Sequence, residues 1–74
     1  MATNEQYEAG ARNLISKIQN TTDLVRKMNL MTYMGNLRSA QYRTTREERA
    51  KKLAENCYNA STKFYHTAVL AEYE

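Results

Sequence analysis

The sequence predicts an all-α chain: an antiparallel two-helix hairpin that completes a helical bundle with a partner or a second copy. Three observations carry that expectation. Apolar and small residues recur at three-four spacing in the first half, at Tyr7, Ala11, Leu14, Ile18, Thr21, Val25 and Met28. They do so again in the second half, at Ala50, Leu53, Cys57, Ala60, Phe64, Thr67 and Ala71. Such spacing keeps one face of an α-helix turned toward a neighbouring helix. Between the stripes stand Gly35 and Asn36, both tolerant of left-handed backbone angles. The expected bounds are a helix over about 4–34, a turn over about 35–43 and a helix over about 44–73, in one domain of 74 residues.

The first helix opens at a capping box, Thr3-x-x-Gln6, in which hydroxyl and amide each satisfy a backbone N–H. Gly10 lies inside it at a cost of about 1 kcal/mol relative to alanine, either as a surface position or for the close approach of a neighbour. Asn20, Thr21, Thr22 and Asp23 form its weakest stretch, since all four favour caps and turns. The apolar register from Ile18 to Val25 passes through them, which predicts a continuous helix, with a kink as the alternative. From Met28 to Leu37 the stripe widens through Leu30, Met31, Tyr33 and Met34, more than one face can hold. Met31 and Met34, with flexible thioethers, are either core filling or part of an adaptable contact surface.

After the turn, Thr44-x-x-Glu47 and Thr45-x-x-Glu48 offer overlapping capping boxes to start the second helix. Glu47–Lys51, Glu48–Lys52 and Lys51–Glu55 are four-residue pairs on its outer face, each worth a few tenths of a kcal/mol. Its seam is mostly small, with Leu53 and Phe64 the large members. Leu14, Ile18, Val25, Leu53 and Phe64 are thus the expected centre of the hairpin. A second stripe, Tyr58, Thr62, Tyr65, Val69 and Tyr73, occupies a different face. Tyrosine is enriched at interfaces, because an apolar ring ends in a polar tip. One helix with two stripes calls for two neighbours, and a lone hairpin supplies one. Tyr58, Tyr65, Val69, Tyr73, Met31 and Met34 are therefore the expected partner-binding residues.

Composition narrows the function classes. A chain this short is marginally stable unless something staples it. One cysteine cannot form an internal disulfide, and one cysteine with one histidine cannot complete a structural zinc site. Association is the remaining source of stability. Charged residues make up 26% and apolar ones 42%, the balance of a folded helical protein rather than a disordered tail. No run approaches the roughly 20 apolar residues of a membrane span. The opening residues lack the basic and apolar segments of a signal peptide, so synthesis in the cytoplasm is expected, with the final location open.

The net charge of +3 is uneven. Residues 35–52 hold Arg38, Arg43, Arg46, Arg49, Lys51 and Lys52 against Glu47 and Glu48, while residues 53–74 are acidic. Arg38, Arg43, Arg46 and Arg49 define a basic pole at the bend. With Tyr42 beside it for stacking, this segment raises nucleic acid as a partner, although Glu47, Glu48 and the low net charge weigh against it. Catalysis finds no support. Cys57 and His66 are nine residues apart, on opposite sides of a helix, and cannot form a nucleophile–base pair within it. Cys57 reads as a small buried seam residue and His66 as solvated or partner-facing. No phosphate-binding glycine loop, metal-ligand pattern or cofactor motif is present, so no enzyme and no cofactor is expected.

A hairpin with Tyr33, Met34 and Gly35 at its bend resembles the WXG100 (ESAT-6-like) secreted helical-hairpin proteins, which carry a Trp-x-Gly signature there; tyrosine stands here in place of tryptophan. Gln6 and Tyr7 at the opening and Tyr42 after the bend are similar in layout. The plan is also similar to the small helical-hairpin chaperones of type III secretion needles. These resemblances imply a secreted or chaperone-like protein of a specialised secretion system and assign no individual residues. The expected function is a non-enzymatic helical protein-binding subunit of a larger assembly, in a homo- or hetero-oligomer. The secretion-related protein is one alternative, and an accessory nucleic-acid-binding protein using residues 38–52 is the other.

Overall fold

A computed structural model describes residues 2–72, and among them the chain is all-α, with three helices: α1 (Asn4–Gln19), α2 (Leu24–Thr45) and α3 (Glu48–Glu72). The all-α class is as the sequence predicts. The division into elements differs at both expected boundaries.

The capping box forms as expected: Gln6 N–H donates to Thr3 Oγ1 (3.3 Å) and Thr3 N–H to Gln6 Oε1 (2.9 Å). The helix it starts does not run to residue 34. Asn20 caps its C-terminus, and Asp23 starts α2 by accepting N–H bonds from Val25 (3.0 Å) and Arg26 (3.4 Å) on Oδ1. Thr21 Oγ1 in turn accepts from the Asp23 N–H at 3.2 Å. Local side-chain bonds therefore win over the apolar register, and the register restarts. Val25 consequently ends 51% exposed rather than in the core.

Gly35 and Asn36 do not end a helix. Gly35 is buried within α2 at an ordinary helical backbone angle. It is a point of close approach: a Cβ there would lie 2.6 Å from Tyr58 Cε1. Gly10 is roomier, since a Cβ would meet Leu37 at 3.5 Å. The chain reverses instead at Arg46, in the left-handed region at φ 60°, ψ 25°, with its N–H bonded to Tyr42 O. Thr44 and Thr45 belong to the last turn of α2 rather than to a cap of α3. Thr44 Oγ1 accepts from Tyr7 Oη (3.1 Å), and Thr45 Oγ1 donates to Gln41 O (2.8 Å).

Both helix pairs are antiparallel. Glu8 meets Arg38 and Tyr7 meets Thr44 across α1 and α2, while Gly10 lies against Leu37. Across α2 and α3, Tyr58 meets Asn36 and Ser61 meets Met28. The contact of α2 with α3 is the more extensive, and the molecule is elongated, 46 × 21 × 15 Å.

The α3 seam against α2 is Ala50, Ala54, Cys57 and Ser61, all buried. Ala54 and Ser61 replace the expected Leu53, Ala60 and Phe64, of which all three are half-buried at the flank. Small residues let the backbones approach until Ser61 Oγ donates to the Met28 carbonyl at 3.1 Å. The apolar cluster is Ala11, Met34 and Cys57, with Leu14, Ile18, Met31 and Leu37 packed against it. No helix of the described residues is long and apolar enough to cross a membrane.

Candidate functional site

Two places concentrate unusual side chains: a polar cluster joining the three helices, and the side of α2–α3 that carries the tyrosines.

The polar cluster centres on Glu8. Its Oε1 accepts from Arg38 Nη1 (2.7 Å), Arg49 Nη1 (3.2 Å) and Gln41 Nε2 (3.4 Å). Gln41 also donates to Asn4 Oδ1 (3.2 Å) and accepts from Arg38 Nη1 (2.9 Å). Gln41 and Arg38 are buried. The hydrogen bond from Arg38, then that from Gln41 and the charges of Arg38 and Arg49, outweigh partial burial and bring the Glu8 carboxyl down to about 2. A carboxylate held so firmly ionised is a poor general base at neutral pH.

This cluster divides the expected basic pole. Arg38 is not on the surface at all: it is a buried charge matched by Glu8, because α1 covers it. Arg49 is exposed along much of its length but also bonded to Glu8. Arg43 and Arg46 remain exposed at the α2–α3 turn. On the outer face of α3 the ion pair formed among the described residues is Lys52–Glu55 at 3.7 Å, not the three four-residue pairs expected. Sequence spacing missed the cluster, since it puts Arg38 and Gln41 in a turn; their spacing of three on what is a helix is the local signal that could have found them.

The tyrosine side is built on α3. At 3.6 residues per turn, Tyr58, Tyr65 and Val69 fall within about 40° of one another. Tyr58 leans onto α2, its ring over Gly35 and its hydroxyl donating to Asn36 Oδ1 at 2.7 Å. With Tyr42 it walls a groove of about 310 Å³, floored by Ala54 and rimmed by Arg43 and Lys51. The Lys51 ammonium sits 5.8 Å from the Tyr42 ring centroid. Further along, Tyr65 is 54% exposed and stands edge-on to His66, which is exposed, and Leu70 is 63% exposed. Val69 is half-buried. Tyr73 lies outside the described residues.

Met34 is buried in the core and Met31 packs against it, so neither is placed on this surface. Both are held by α1, which folds over the face left open in a two-helix picture. Cys57 is buried in the seam, as its small size predicts. Burial pushes its thiol up, against a smaller opposing effect of Arg38, so it stays protonated. The exposed Leu70 was outside the expected stripe; it stands one turn beyond His66, alongside the Tyr65–Val69 pair.

Comparison of the chain with protein-family models, with curated proteins and with solved structures gave no match.

Proposed function

We propose that this chain is a non-enzymatic helical subunit that binds protein through the Tyr58–Tyr65–Val69 side of α3. The observation that supports it is the far end of that helix. Ser61 bonds to both Met28 and Thr32, and Lys27 lies over Phe64, so Leu24, the first residue of α2, falls opposite about residue 67. Residues 68–72 then run about 7 Å past the start of α2. Around that end Tyr65 and Leu70 offer exposed apolar area, with the half-buried Val69 beside them. Helix-on-helix burial of such a patch is the ordinary way a small bundle gains stability.

A small secreted or chaperone-like protein of a specialised secretion system would use the same surface. An accessory nucleic-acid-binding role is less well served, because Arg38 and Arg49 are engaged with Glu8 and fewer cations remain for phosphates. The test is a pair of variants in a pull-down from the native source. Tyr65→Ala should weaken partner capture by more than about tenfold with helicity intact, as truncation of a central aromatic anchor commonly does. Arg46→Glu should leave capture unchanged. The reverse outcome, with a steep salt dependence, would move the function to the basic turn.

A further inference from the structure

We infer that the partner is a second copy of this chain, laid antiparallel along α3 about a two-fold axis between Ser61 and Thr62. The inference rests on the protein-binding reading above and names its partner. The stripe on this side of α3 begins with Lys51, continues through Ala54, Tyr58, Thr62, Tyr65 and Val69, and ends at Glu72. It is cationic at one end, aromatic and aliphatic in the middle, and anionic at the other. Such a stripe is complementary to itself only when reversed.

Residues equally far from the axis then meet. Lys51 faces Glu72 of the second copy, Tyr58 faces Tyr65, and Ala54 faces Val69. The last pair has a shape to match. Ala54 floors the groove of about 310 Å³ between Tyr42 and Tyr58, and the side chain of Val69 enters it as a knob enters a hole. Arg43 and Lys51 at the groove's rim then receive the Glu72 carboxylate, outnumbering Glu55, which lines the same groove and is paired with Lys52. A parallel arrangement would set Lys51 against Lys51 and Glu72 against Glu72. A nucleic acid along the same line would meet Glu55 and Glu72. The reversed copy alone satisfies both ends, and because the contact is isologous it closes at two chains.

Light scattering on the full chain after size exclusion should give twice the chain mass. Lys51→Glu or Glu72→Lys alone should weaken the dimer about tenfold at low salt, with two like-charge contacts created per dimer. The double reversal should restore it. With Cys57 replaced by alanine and helicity checked, Thr62→Cys should cross-link between chains under oxidised glutathione. Lys63→Cys, about 100° round the helix, should not. A chain still monomeric at about 1 mM, a dimer indifferent to both reversals, or cross-linking through residue 63 instead of 62 would overturn the inference. If the chain is monomeric and Tyr65→Ala still abolishes partner capture, the second copy is wrong and the binding surface stands. If Tyr65→Ala affects neither, both fall.

Discussion

Gly35 shows how one missing methyl sets the spacing of two helices. The ring of Tyr58 occupies the place of its absent side chain, and a Cβ would meet three ring atoms at 2.6–3.0 Å. The ring cannot simply swing aside without loosening its hydroxyl from Asn36 Oδ1 at 2.7 Å. Alanine would gain up to about 1 kcal/mol in helix propensity, but overpacking costs typically 1–3 kcal/mol. Gly35→Ala should therefore destabilise the chain by roughly 1–2 kcal/mol, read from urea unfolding midpoints. In a Tyr58→Ala background the same change should be neutral or stabilising. Equal costs in both backgrounds would mean that the ring is not what fills the site. A residue that looked like a helix terminator is thus a packing residue, and only its neighbour across the hairpin reveals it.

At the scale of elements, caps and turns decide where the helices begin and end. Residues 20–23 interrupt the apolar register because Asp23 supplies acceptors that the first turn of α2 needs. The reversal at Arg46 has the opposite character, since it holds a non-glycine residue at φ 60°. A left-handed angle costs an L-residue roughly 1 kcal/mol, and glycine is the residue that usually closes a helix this way. Arg46→Gly should raise stability by about 0.5 kcal/mol once the added freedom of the unfolded chain is counted. Arg46→Val should lower it, since a branched side chain fits that angle poorly. Thermal melts of the two variants at one protein concentration would check the sign. A destabilised glycine variant would mean that the arginine side chain itself holds the turn.

For the whole molecule, the three helices are tied by the charged cluster around Glu8 and, next to it, by the apolar cluster of Ala11, Met34 and Cys57. Arg38 is buried, and its positive charge depends on Glu8 for compensation. Glu8 has a folded-state value of about 2, below its ordinary 4.5. The stability it adds is therefore complete above 4.5 and is lost as the pH falls from there toward 2. Its side chain is 29% exposed, so after screening by solvent the contribution is about 1–2 kcal/mol. Glu8→Gln should cost about that much at neutral pH and flatten the acid limb of the stability curve. Circular dichroism melts between neutral pH and the acid limit would show it. A variant with an unchanged acid limb would mean that another carboxylate governs acid unfolding.

Sequence by itself determined the helical class, the Thr3–Gln6 cap, the Ala11–Leu14–Ile18 face of α1, the burial of Cys57 and the shared register of Tyr58, Tyr65 and Val69 on α3. Each of these depends on residues within a few turns of one another, where spacing and local bonding suffice. Tertiary structure alone decided the rest. Residues 20–23 end a helix through local caps that the sequence contains, but that α1 then folds back over α2 shows only in contacts such as Glu8–Arg38 and Tyr7–Thr44. Glycine at position 35 could cap a helix or admit a ring, and the ring that chooses comes from α3. Arg38 read as surface charge because nothing near it in sequence says that Glu8, thirty residues earlier, would cover and neutralise it. Pairings of that separation carry no local period, so they become visible only when the helices are set side by side.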